Sequence, residues 1–197
     1  AFGNVNLKQI CFDKNPVLAS RQAKLALYQE SSFEKTIYMD CDICLLSNID
    51  EVFDYLDTVD FLLTEDVQPS IAKASNLLRV KQDVLPTLKS VGLPLNENSI
   101  QYNGGFMAFR KTTKNKELFN SFRKYFNIVL SNQDRLLVRD QGAFAAAIET
   151  AQPTMKVLPP TYNFVDKWRS HYQNIKEPIK VLHCTYPYRP QYAKNIT

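Results

Sequence analysis

The sequence predicts an α/β fold, a mixed and mostly parallel sheet flanked by helices, in one domain over residues 1–197. Three observations predict it. Short apolar runs of strand length alternate with longer segments of helical periodicity. The composition, 45% hydrophobic and 22% charged, is that of an ordinary globular domain, long enough to bury one core. No repeat, low-complexity tract or long linker divides the chain.

The elements follow in order. Val5 to Phe12 alternates weakly and reads as a strand. Leu18 to Gln29 places Leu18, Ala23, Leu25, Ala26 and Leu27 on a helical pattern with basic residues outside. Thr36 to Met39 is a buried strand that stops at Asp40. Asn48 or Asp50 caps a helix running to about Leu56, with Val52, Phe53 and Leu56 inward. Asp60 to Thr64 is a strand, and Pro69 to Lys89 reads as a helix interrupted at Pro86. Gly92 to Ser99 is a loop, Gly105 to Phe109 a strand, Lys114 to Leu130 a helix, and Asp140 to Thr150 an alanine-rich helix. Lys156–Leu158 and Ile179–His183 are short closing strands.

Composition excludes several function classes. With 5 glycines, neither a GxGxxG dinucleotide loop nor a Walker phosphate loop is present, and 2 histidines exclude a His-rich metal cluster. The net charge of +4 is spread along the chain and lacks the clustered basic face of a nucleic-acid binder. No apolar run reaches the roughly 18 residues of a transmembrane helix. Cys11, Cys41, Cys44 and Cys184 do not form a disulfide framework, which favours a reducing, cytoplasmic setting. Cys41 and Cys44 form a CxxC, but their apolar strand context reads as small hydrophobes in a core. Asn195-Ile196-Thr197 is a glycosylation sequon with no secretory signal at the start of this sequence.

The informative segment is Ile37-Tyr38-Met39-Asp40-Cys41-Asp42. A hydrophobic strand ends in two carboxylates one residue apart, where ligands bind in open α/β sheets. Such carboxylates repel unless neutralised, and a hard divalent cation with oxygen ligands does this while holding a diphosphate. The plainer alternative is one aspartate capping a turn and the other solvated.

Six blocks in order resemble glycosyltransferase family 8, the group of glycogenin, galactinol synthases and bacterial lipopolysaccharide galactosyl- and glucosyltransferases. Ala23-Lys24-Leu25 resembles the family's basic helix position. Tyr38-Met39-Asp40-Cys41-Asp42 with Asn48-Ile49-Asp50-Glu51-Val52-Phe53 resembles "YLDxD…NIDELF". Tyr102-Asn103-Gly104-Gly105-Phe106-Met107 is similar to "FNSGVM", and Asp140-Gln141 to the Asp-Gln pair. Leu158-Pro159 with Tyr162-Asn163, then Val181-Leu182-His183 with Arg189-Pro190, resemble the closing blocks.

The resemblance implies a GT-A fold and a metal-dependent, retaining transfer of a hexose from a nucleotide diphosphate sugar, by family habit a UDP-sugar, to a carbohydrate or other hydroxyl acceptor. It implies a metal held by Asp40, Asp42 and His183; one imidazole among oxygen ligands suits manganese better than magnesium. Lys24 and Arg189 would face the phosphates, Cys41 would lie against the donor, and Asn103 and Gly104 would line the donor sugar. Asp140 would bind donor hydroxyls and Gln141 would sit near the anomeric carbon, attacked on the same face by the acceptor. Without the resemblance, His183 is an ordinary buried histidine, Lys24 and Arg189 are surface ion pairs, Asn103-Gly104 is a turn, and Asp140 is a helix cap.

The sequence departs from the family in three ways. The strand and helix that the family has upstream of the acidic pair are not in this sequence: either it is cut from a longer protein, or the chain is naturally short, in which case an incomplete base pocket and an open sheet side through which copies associate are expected. Arg189 replaces a lysine, and Tyr186 and Gln191 stand where glycine and tryptophan are frequent. Two rival readings follow. One is a non-catalytic sugar-nucleotide binder or interaction remnant of the same fold. The other is a haloacid-dehalogenase-type phosphatase, disfavoured because Cys44 stands where that family has threonine or valine.

Overall fold

The computed structural model describes residues 14–79, 83–172 and 175–184. The expected strand Val5–Phe12, Cys11, and the tail with Tyr186, Arg189, Gln191 and the sequon lie outside these residues. Helix α1 spans Pro16–Glu30. It starts two residues before the expected Leu18 because the Asn15 side chain accepts hydrogen bonds from the amides of Val17 and Leu18, and Pro16 fills the first turn, where no helical amide is required. The strands are β1 Lys35–Met39, β2 Ile43–Leu45, β3 Phe61–Ser70, β4 Ile100–Arg110, β5 Met155–Val157, β6 Phe164–Val165 and β7 Val181–His183. The other helices are α2 Glu51–Tyr55, α3 Val84–Ser90, α4 Thr113–Ser131 and α5 Gln141–Ala151. The class is α/β as predicted. Among the described residues no helix is long and apolar enough to cross a membrane.

The strands form two sheets, ordered β1-β4-β3-β5 and β2-β7-β6. Pairing is mixed, but β1·β4, β3·β4 and β2·β7 are antiparallel and only β3·β5 and β6·β7 parallel, against the mostly parallel sheet expected. The reason is the route into β4: the chain leaves β3 at Ser70 and returns along both β1 and β3 in the opposite sense. Strands β2 and β6, three and two residues long, are too short to carry an alternation signal.

Three sequence expectations are corrected. Pro69 to Lys89 is not one helix: β3 continues through Pro69, two 3₁₀ turns follow at Ile71–Lys73 and Ser75–Leu77, and only Val84–Ser90 is α-helical. Pro86 sits in the first turn of α3, where its missing N–H has no intrahelical acceptor to lose. Phe53 is 39% exposed whereas Val52 and Leu56 are fully buried. Cys41 is exposed in a turn rather than packed in a strand; Cys44 is half-buried and Cys184 buried, all three as free thiols.

The two central strands of the four-stranded sheet, β3 and β4, are covered on both faces, while the edge strands β1 and β5 are half-buried or exposed. Phe61, Leu63, Met107 and Phe109 meet Phe119, Phe122 and Phe144 from α4 and α5, with Phe109 and Phe119 ring centroids 5.0 Å apart. On the other face Leu62, Phe106 and Ala108 meet Val52, Leu56 and Val181, tying the larger sheet to the smaller one. Asp60 fastens one end of this assembly. Its carboxylate accepts from the Thr154 amide (3.1 Å) and hydroxyl (2.7 Å) and lies 3.3 Å from Arg110, while its carbonyl accepts from the buried Asn115 amide.

Burial raises the Asp60 carboxyl, but the Thr154 hydrogen bonds and Arg110 outweigh it and hold the group below its ordinary 3.8. A depressed carboxyl contributes stability above the unfolded pKa, lost as pH falls through the folded one. Asp60→Asn is therefore expected to lower unfolding free energy by about 1–3 kcal/mol at pH 7. Denaturant titrations should show the gap closing below about pH 3.8; a constant gap would assign the loss to packing instead.

Candidate active site

The site lies where the two sheets meet. The main chain passes from β1 to β2 through the tight turn Asp40-Cys41-Asp42-Ile43, closed by the Ile43 amide donating to the Asp40 carbonyl at 3.2 Å. Each acidic residue is pinned by its backbone to a different sheet. The Asp40 amide donates to the Gly105 carbonyl on β4 (2.8 Å), and the Asp42 carbonyl accepts from the Cys184 amide beside His183 (2.8 Å). Ile43 pairs with His183, which places the imidazole next to the turn.

Asp40, Asp42 and His183 thus converge, with one ligand atom from each lying within 4.8 Å of the others. Nδ1 of His183 faces the Asn163 carboxamide oxygen at 3.0 Å, and the Asn163 amide nitrogen donates to the Thr64 hydroxyl at 3.1 Å. With the carboxamide so oriented, Nδ1 carries the proton and Nε2 presents a lone pair. Burial holds the imidazole below its ordinary 6.5 against the pull of Asp42 and Asp40, so it is neutral at pH 7. Nε2 lies 3.3 Å from an Asp42 oxygen. A lone pair facing a carboxylate at that distance is repulsive unless a cation joins them. This donor set, two carboxylates and one correctly oriented imidazole, fits a divalent metal.

Lys24 lies on the other side of Asp40. It is 8% exposed, on the buried face of α1, and its ammonium lies 3.3 Å from both Asp40 and Asp140 and 5.5 Å from the Tyr38 ring centre. Burial lowers this amine, but Asp140 and Asp40 outweigh it and the net shift is upward. Lys24 is therefore no surface pair; it holds together two carboxylates that would otherwise repel. The Tyr38 hydroxyl also donates to Asp40, and burial together with that carboxylate raises the phenol. Asp140 precedes α5, yet its side chain makes no capping hydrogen bond. The carboxylate points to Lys24 instead.

Gln141 donates from its amide nitrogen to Asp66 at 3.2 Å. It shares a cleft of about 600 Å³ with Asn103, Gly104, Asp140 and His183. A second cleft of about 630 Å³ is lined by Tyr38, Cys41 and Asp42 and shares Arg21, Lys24, Asp40 and Asp140 with the first. Of the predicted site residues, the structure brings together Lys24, Asp40, Asp42, Asn103, Gly104, Asp140, Gln141 and His183, with Cys41 in the second cleft; Arg189 lies outside the described residues.

Four participants escaped sequence reasoning. Asn163 and Thr64 set the His183 tautomer, and Asp66 orients Gln141. Gly105, rather than Gly104, is the glycine that geometry demands. A Cβ there would stand 2.5 Å from the His183 ring, whereas at Gly104 the nearest atoms are flexible side chains at 3.4 Å or more. Asn163 and Gly105 stand inside two of the resembling blocks, the available signal, but nothing in those blocks tells which strand they face.

Comparisons with known proteins bear on the fold and the family. Three solved structures share the fold. A galactosyltransferase, LgtC, crystallised with donor and acceptor sugar analogues, superposes at TM-score 0.60 with 13% identity over 87% of this chain and 60% of its own. The bifunctional glycosyltransferase WbbM gives 0.59 and 16% over 91% and 35%, and mouse xyloside xylosyltransferase 1 gives 0.52 and 16% over 90% and 68%. The chain thus spans about 60% of the length of the galactosyltransferase. No curated protein is similar to it in sequence at a significant level. Residues 35–193, from the start of β1 past His183, match the profile of the nucleotide-diphospho-sugar transferases, and the chain belongs to that family.

Proposed function

We propose that the chain is a metal-dependent, retaining glycosyltransferase that moves a hexose from a UDP-sugar to a hydroxyl acceptor. The observation that carries this reading is the His183 lone pair, fixed by Asn163, facing Asp42 beside Asp40. Asp40, Asp42 and His183 would hold the ion, most suitably manganese. When bound, it supplies Lewis-acid stabilisation of the departing diphosphate.

The protein's own groups do the rest. Lys24 holds Asp40 and Asp140 in place, so Asp140 would serve the donor-sugar hydroxyls while Asn103 and Gly104 line that sugar. The Gln141 amide nitrogen is committed to Asp66, which leaves its carbonyl oxygen for the cleft. A fixed carbonyl dipole there stabilises the positive charge that develops at the anomeric carbon. The acceptor hydroxyl attacks on the face the diphosphate leaves: the new bond joins the acceptor oxygen to the anomeric carbon, the carbon–phosphate-oxygen bond breaks, and the hydroxyl proton passes to the departing phosphate oxygen.

Calorimetry with UDP should show binding that requires manganese and disappears in chelator. Asp42→Asn should remove the metal-dependent part while leaving the melting temperature of the metal-free protein within a few degrees. Equal UDP affinity with and without metal would refute the site.

Gln141→Ala should lower turnover of the UDP-sugar by roughly 100-fold while changing UDP affinity little, as expected for a group acting mainly in the transition state. Parallel losses in turnover and affinity would make Gln141 a binding residue only. Metal-dependent binding with no turnover by the wild type would favour the non-catalytic reading.

A further inference from the structure

Trp168 is the only tryptophan in the chain. It lies in the 3₁₀ segment Asp166–Tyr172, at the one position there whose backbone (φ −108°, ψ 21°) breaks the helical run. This segment leaves β6 immediately after Val165, which pairs with His183 on β7. The indole is half-buried and lines the first cleft. It is braced from two sides, by the His171 ring edge-on at 5.3 Å between centroids and by the Lys167 ammonium 5.5 Å from its centre.

That cleft is otherwise walled mainly by charged and amide side chains, so the indole gives it a flat apolar face. A pyranose ring has the matching double character: a face of C–H bonds with hydroxyls around its rim. Aromatic rings beside a few fixed polar groups are the usual means of orienting such ligands.

The geometry also separates a sugar from a nucleobase. The two clefts share Arg21, Lys24, Asp40 and Asp140; on the transferase reading, a diphosphate at Asp40 would have the nucleoside on one side and the donor sugar on the other. Gln141, Asn103 and Gly104 lie in the first cleft and Tyr38 and Cys41 in the second. Trp168 lines only the first. At about 600 Å³ that cleft exceeds the needs of one hexose, and the reading proposed above uses only its part at Gln141 and Asn103 for the donor.

We infer that Trp168 is the stacking platform for a pyranose ring of the acceptor, with the Lys167 ammonium beside it as a donor to that ring's hydroxyls. This inference rests on the transferase reading above. A single tryptophan makes it directly readable. With manganese and UDP present, titration of methyl β-glucopyranoside, methyl β-galactopyranoside and lactose should give a saturable change in indole emission for at least one of the three. Trp168→Ala should weaken that sugar about tenfold or more by calorimetry, and Trp168→Phe should restore most of the affinity, while UDP binding stays within about twofold in both. The two readings fail separately. Absence of manganese-dependent UDP binding in the wild type overturns the transferase reading. UDP binding without any pyranoside response, or Trp168→Ala weakening UDP as much as the sugar, overturns the stacking role.

Discussion

The constraint on which the site depends is the repulsion among Asp40, Asp42 and the His183 lone pair. Ligand atoms no more than 4.8 Å apart place two like charges at a cost of at least about 3.5 kcal/mol at an effective dielectric constant of about 20. The chain supplies one counter-charge itself, the buried Lys24 between Asp40 and Asp140. On the other side of the turn, Asn163 orients the imidazole so that its lone pair faces the Asp42 carboxylate. A site arranged in this way is shaped for a cation from outside.

The fold supplies that arrangement through two sheets joined by one turn. Asp40 is registered to β4 through Gly105, and Asp42 to β7 through Cys184. Relative position of the ligands is therefore set by the packing that holds the sheets together, Leu62, Phe106 and Ala108 against Val52, Leu56 and Val181. Gly105 allows β4 and the His183 ring to approach so closely that any side chain at 105 must displace the imidazole. Core packing and metal geometry are in this sense one structure, and sites built on strands hold their ligands more rigidly than sites on loops.

Much of this was legible in the sequence where the signal is local. The strand ending at Asp40, the helices at Leu18–Gln29 and Lys114–Leu130 and the Gly92–Ser99 loop follow from periodicity and capping, and the structure has them within a few residues. The resemblance brought Lys24, Asp140 and His183 to one place although the chain separates them widely. What stayed hidden is what depends on pairing. The sense of β4 is decided by its neighbours, and β2 and β6 exist only because β7 lies between them. Pro69 to Lys89 reads as a helix in the sequence, yet pairing of Ser70 with Ile100 keeps its start extended. The partnerships of Asn163, Asp66 and Gly105 are contacts across sheets, and composition carries no trace of them.

Pulsed electron paramagnetic resonance of the manganese-loaded protein with UDP tests the central claim most directly, because it reads the nitrogen nuclei bound to the ion. The account predicts coupling to one imidazole nitrogen that is lost in His183→Gln and retained in His171→Gln, the chain having 2 histidines in all. A manganese signal without nitrogen coupling, or one unchanged by His183→Gln, would contradict it.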